Sequence, residues 1–203
     1  MEVFYHGSSV VFNTFDLSHI LEGDGKIKYG YGIYVTSKYS TAAHYAYNKK
    51  RPENKDYYVF TVEVPDRTDD NTLCLFKNVP VSQSIVERVE EKLGITIPDE
   101  AKVEGIPFRK YLANIVTGEN KTLKQMLDKA TAEGEKAAAL LLQSIGVEMI
   151  EWPHPSWTDP SKGTNRAIIS EGNARIVRIE KVQLDEKKHQ LIPGSEILIK
   201  EFK

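Results

Sequence analysis

Apolar and polar positions follow a period of two towards both ends of the chain and of three to four in its middle. Residues 2–8 begin with the β-formers Val3, Phe4 and Tyr5 and predict a strand. A polar stretch over 21–31 carries Gly23, Gly25 and Gly30 and predicts a loop, with a second short strand over 32–37. Ser40 suits the N-cap of a helix over 41–48, and the charged segment 49–56 breaks at Pro52. Tyr58, Phe60, Val62 and Val64 share one face of a strand over 56–64, which Pro65 ends, and 73–76 is a weaker strand.

The middle reads as helical. Ile85, Val89 and Leu93 recur every four residues within 81–93, one apolar stripe. Leu123, Met126, Leu127 and Ala130 open a longer helix over 122–145, with Gly146 just beyond it as the expected C′ residue. Strands resume over 147–152, 166–170, 174–183 and 191–202. The loop 153–165, with three prolines and Gly163, separates the first two. Strands, then helices, then strands predict an α+β fold with mostly antiparallel pairing rather than a repeating βαβ unit. A length of 203 residues suits one domain over 1–203, with 79–142 as a helical insert.

Composition narrows the function classes. Lysine and arginine number 27 against 29 acidic residues, so the net charge of −2 argues against strong nonspecific adhesion to nucleic acid but leaves a local basic groove open. The single cysteine, Cys74, excludes an internal disulfide framework and a zinc knuckle. No apolar run approaches the roughly 18 residues of a membrane span, and the N-terminus lacks the basic start and apolar stretch of a signal peptide. A cytoplasmic location, with no membrane partner, is the expectation.

Three short patterns bear on chemistry. Tyr5-His6-Gly7-Ser8-Ser9 sets a histidine beside a glycine at a strand end. Gly7 lets the backbone approach a planar amide and His6 could bond a ribose hydroxyl, although a half-buried structural histidine fits the same residues. Gly30-Tyr31-Gly32-Ile33-Tyr34-Val35 precedes Tyr45 by eleven residues from Tyr34. Two tyrosines can sandwich an aromatic ring, and ordinary core tyrosines meet the same spacing. The glycines are no phosphate loop, since no Lys-Ser/Thr follows and a strand comes next. Lys38, Lys49, Lys50, Arg51 and Lys55, with Tyr39, Tyr47, Tyr57 and Tyr58 among them, fit either a nucleic-acid path or a solvated face. The loop Trp152-Pro153-His154-Pro155-Ser156-Trp157 is expected to expose aromatics, for target recognition or for anchoring the loop.

Taken jointly, Tyr5-His6-Gly7-Ser8, Gly32-Ile33-Tyr34-Val35 and Ser40-Thr41-Ala42-Ala43-His44-Tyr45-Ala46 resemble the NAD signature of the ADP-ribosyltransferases. The nearest branch is the His–Tyr–Glu class of poly(ADP-ribose) polymerases, diphtheria-type toxins and the small transferase domains of phage and polyvalent proteins. Gly146-Val147-Glu148-Met149-Ile150 and Asn165-Arg166-Ala167-Ile168-Ile169 resemble its late segment more loosely. The likeness covers the first 65 residues well and the last 60 loosely; the helical middle has no counterpart.

The resemblance implies a split antiparallel β-sandwich and NAD as co-substrate, with no metal. His6 would bind the ribose, Gly7 the nicotinamide carboxamide through its backbone with Ser8 beside it, and Tyr34 and Tyr45 would hold the nicotinamide ring. The glycine-containing loop before Tyr31 would lie over the cofactor. Two positions depart from the pattern. A small hydroxyl residue of the early helix aligns with Ala42, so Thr41 or Ser40 would substitute, and the catalytic glutamate aligns with Arg166. Glu151 is the preferred stand-in for that carboxylate, ahead of Glu148 and Glu171, while Arg166 could grip an NAD phosphate or a nucleic-acid target in a bidentate fashion.

The implied activity is NAD-dependent mono-ADP-ribosyl transfer to a protein, RNA or DNA acceptor, by a bacterial toxin or phage effector with an antitoxin as a partner. A degenerate module that binds NAD or ADP-ribose without turnover is the alternative. RNA 2′-phosphotransfer on the same fold is a third reading, although the early arginine of such enzymes is lacking, the first being Arg51.

Overall fold

Val3, Phe4 and Tyr5 begin a strand that becomes the hub of the sheet. β1 (Glu2–Ser8) pairs antiparallel with β3 (Tyr57–Val64) along its whole length, from Glu2 opposite Val64 to Ser8 opposite Tyr58. The computed structural model describes residues 1–20, 27–47, 55–153 and 163–202. Beyond β3 lie β7 (Arg175–Val182) and then β8 (Ile197–Glu201), each antiparallel to its neighbour. On the other side of β1, β2 (Ile33–Thr36) pairs with it at Tyr5 and Thr36 alone. β2 continues antiparallel into β6 (Thr164–Ile168) and β6 into β5 (Met149–Pro153), while the outermost β4 (Thr72–Cys74) runs parallel to β5.

The eight strands thus form one sheet in the order β4-β5-β6-β2-β1-β3-β7-β8. The expected α+β class with mostly antiparallel pairing holds. Two four-strand halves are joined edge to edge where β1 and β2 diverge, and a cleft opens at that divergence.

α1 (Tyr39–Tyr45) starts one residue before Ser40. Lys38 is its N-cap without a side-chain bond, so Ser40 sits inside the first turn and caps nothing. Ala42, Ala43 and Ala46 are buried against Tyr57, Val59 and Val182. Only small residues permit that approach: a Cβ on Gly7 would lie 1.8 Å from the Ala42 carbonyl oxygen.

Five helices lie between β4 and β5: α2 (Gln83–Leu93), α3 (Asp99–Lys102), α4 (Gly105–Val116), α5 (Leu123–Asp128) and α6 (Ala132–Ser144). The single helix expected over 122–145 is two. Thr122 caps α5 in a reciprocal box with Gln125, and Thr131 caps α6 by accepting from the Gly134 N–H. The buried Asn114 amide holds the break open by donating to the Met126 and Lys129 carbonyls. Phe108, Leu112, Leu142 and Ile85 pack with Leu73, Ile150 and Trp152 into the largest core, so the insert covers the β4-β5-β6 end of the sheet. Phe4, Phe60, Val62, Met149 and Ile168 form a second core. Among the described residues no helix is long and apolar enough to cross a membrane.

Candidate functional site

β1 leaves its ladder with β2 after Tyr5, and the next residue, His6, turns its ring into the gap. The resulting cleft has a volume of about 960 Å³. His6 Nδ1 lies 2.8 Å from the Tyr34 carbonyl oxygen. A carbonyl can only accept, so Nδ1 carries the proton and Nε2 is left as an acceptor. Phe12, Phe15 and Phe60 set their rings edge-on around the imidazole at centroid distances of 5.2–5.9 Å. That burial pushes the His6 pKa below its usual 6.5, against the opposing effect of the Tyr34 carbonyl, and keeps the ring neutral.

Tyr34 projects from β2 into the same cleft. Its hydroxyl donates to the Gly30 carbonyl at 2.9 Å and accepts from the Tyr29 N–H at 3.1 Å. Burial raises its pKa to about 12, so it remains a phenol throughout the physiological range. Gly30 has φ of +116°, and a Cβ there would meet Ile150 at 2.4 Å, which is why a glycine stands at this turn. Tyr29 stacks on Trp152 at 4.7 Å and Tyr34 meets the same indole edge-on at 5.1 Å. Tyr45, at the end of α1, lines the cleft with half its surface exposed.

The structure therefore brings His6, Gly7, Ser8, Tyr34 and Tyr45 to one cleft from β1, β2 and α1. Thr41 is not part of its lining. Glu151 and Arg166 are not either, and the reason is strand parity. In the β5–β6 ladder Glu151 faces Arg166 and Trp152 faces Asn165, so the two pairs lie on opposite faces. Trp152 and Asn165 face the cleft.

Glu151 and Arg166 are buried on the reverse side, with Arg166 Nε donating to Glu151 at 2.8 Å, Nη2 to Glu2 at 3.1 Å, and the guanidinium 4.3 Å over the Phe4 ring. Arg67 completes the network from outside, its Nε donating to Glu151 at 3.0 Å. This is an ionic core contact. Neither side chain reaches the cleft, so the carboxylate role expected of Glu151 and the phosphate grip expected of Arg166 do not fit this geometry. Glu148 bonds the Asn71 and Asn173 amides, and Glu171 accepts from the Leu17 N–H.

Asn165, Trp152 and Lys28 also line the cleft, although none of them has a place in the NAD site expected from the sequence. Asn165 is buried, and its Oδ1 has no hydrogen-bond partner among the described residues. Trp152 lies in β5, as the strand expected over 147–152 has it, but is buried rather than exposed with the loop that follows. Lys28 is exposed on the lining, its ammonium 5.2 Å over the Tyr29 ring. Counting parity along 164–168 from the buried Ile168 would have turned Asn165 and not Arg166 to the cleft. Of the basic cluster, Lys38 and Lys55 are exposed, while Lys49, Lys50 and Arg51 lie outside the described residues, as do His154–Trp157 and most of the loop 21–31. Among the described residues no group of histidine, cysteine and carboxylate side chains could hold a metal ion.

The chain matches no protein-family model, no curated protein and no solved structure.

Proposed function

We propose that the chain binds NAD in this cleft and transfers its ADP-ribose to a macromolecular acceptor, releasing nicotinamide. The observation that carries the reading is the convergence of His6, Gly7, Tyr34 and Tyr45 on one cleft, although they come from separate elements. A volume of about 960 Å³ falls at the top of the range for small-molecule sites, roughly 300–1,000 Å³, and suits a dinucleotide. The aromatic rings of Tyr34 and Tyr45 offer faces to a nicotinamide, and the bare Nε2 of His6 accepts a ribose hydroxyl. Lys28 supplies a cation for the diphosphate.

In the reaction the bond between ribose C1′ and the pyridinium nitrogen breaks, and its electron pair leaves with neutral nicotinamide. The nucleophile of the acceptor bonds to C1′ and loses its proton to water. Positioning the two reactants supplies much of the rate in such a step. Arg166, which aligns with the family's glutamate, faces away from the cleft, and Asn165 presents only an amide dipole to it, so stabilisation of the cationic sugar is weaker than a full negative charge would give. That same amide favours a second reading, in which NAD or ADP-ribose is bound without turnover.

Radiolabelled NAD incubated with cell lysate and the full chain tests both. The expected result is label on a macromolecule together with free nicotinamide, and neither with Tyr34→Ala. Digestion with protease or with nucleases then identifies the acceptor class. NAD binding without nicotinamide release would select the second reading, and no binding at all would end both.

A further inference from the structure

The helical insert has no counterpart in the resembling family, yet it places a charge directly behind the cleft. Arg109 of α4 is 2 % exposed. Its Nη2 donates to the Lys28 carbonyl at 3.1 Å, and its Nε lies 3.3 Å from Glu135 Oε2 of α6. Arg109 Nε and Nη1 and Glu135 Oε2 have no aligned hydrogen bond among the described residues. A Cβ on Gly30 would sit 3.1 Å from Nη1, so the guanidinium is packed against the backbone of 28–30.

Those three residues bear on the cleft in separate ways. The Lys28 carbonyl is held by Arg109, the Tyr29 N–H holds the Tyr34 hydroxyl, and the Gly30 carbonyl accepts from it. Tyr29 also stacks on Trp152. A buried ion pair commonly gives no advantage in stability over well-packed apolar residues, so the fold alone does not account for Arg109 and Glu135 here. A planar fork that reaches a backbone carbonyl and a carboxylate at once is a device for orientation.

We propose that Arg109 is a positioning residue for the cleft: from the insert it holds the backbone of 28–30, and through it the Tyr34 hydroxyl and the Tyr29–Trp152 stack, in the arrangement that receives a planar ring. This rests on the NAD reading only for the identity of the ring. Glu135 holds the guanidinium in place from α6.

Residue-resolved amide exchange on the full chain, with and without NAD, provides the test. Arg109→Met with Glu135→Gln removes both charges together and leaves neither one buried alone. The Tyr29 amide is expected to exchange about tenfold faster, with β1 and β3 unchanged, because one local restraint is lost rather than the fold. The KM for NAD is expected to rise about tenfold with a smaller change in kcat, since the ring is received less well. Arg109→Lys keeps the charge but lacks the fork, so its exchange and KM should fall between wild type and the double variant; it also decides the question if the double variant fails to fold. Exchange at Tyr29 within twofold of wild type in a folded variant, or faster exchange throughout the sheet, would overturn the proposal. If wild type does not bind NAD, the exchange measurement still decides the role of Arg109, and the NAD reading alone falls.

Discussion

His6 donates a hydrogen bond from Nδ1–H to the Tyr34 carbonyl and is ringed by three phenylalanines, and both facts govern how it titrates. Burial lowers its pKa in the folded chain, while the unfolded chain takes up a proton near 6.5. Between those two values the unfolded state binds more protons, so stability falls as pH drops below about 6.5 and is level above it. Urea midpoints measured from pH 8 to pH 5 should decline only in the lower part of that range, and His6→Gln should flatten the decline. An equal slope in His6→Gln would mean that the imidazole is not held neutral. His6, Gly7, Tyr34 and Tyr45 were legible in the sequence because each lies in a short motif of unusual residues. Asn165 was not, since a buried asparagine in a five-residue strand looks like any other until the parity of that strand is fixed.

At the scale of elements, Gly7 shows how one residue answers to two demands. Its backbone lines the cleft, and its missing side chain lets α1 sit on β1, where a Cβ would lie 1.8 Å from the Ala42 carbonyl oxygen. Backbone cannot yield to a contact that short as a flexible side chain would, so Gly7→Ala forces helix and strand apart. A loss of about 1–3 kcal/mol in urea unfolding is expected, the range typical of overpacking. A variant as stable as wild type would show that α1 is not seated there.

Most strands were readable from alternation or β-formers, and α2 from its apolar stripe. α4 was covered only by the helical insert expected over 79–142, because Gly105 and Pro107 in its first turn are weak helix formers. Gly105 is required there: a Cβ would meet the Cys74 carbonyl oxygen at 2.1 Å. The split of α5 from α6 was hidden as well, since leucines and alanines continue the apolar pattern through Thr131, whose cap acts only locally.

For the whole molecule, the sheet has two faces with different work. The reverse side of β5 and β6 holds the Glu2–Arg166–Glu151–Arg67 network, and the cleft side presents Trp152 and Asn165. The α+β class followed from the order of strands and helices along the chain. The strand order, with the late β5 and β6 placed beside the early β2, did not, because pairing between residues more than 100 apart leaves no local mark. Nor did the position of the cleft, which exists because β1 and β2 part after a single paired residue.

Calorimetric titration of NAD into wild type, Tyr34→Ala and Arg166→Met tests this division most directly. Wild type should bind, Tyr34→Ala should lose binding, and folded Arg166→Met should bind like wild type despite a lower unfolding midpoint. No heat of binding in wild type, or loss of NAD binding in folded Arg166→Met with retention in Tyr34→Ala, would contradict the account.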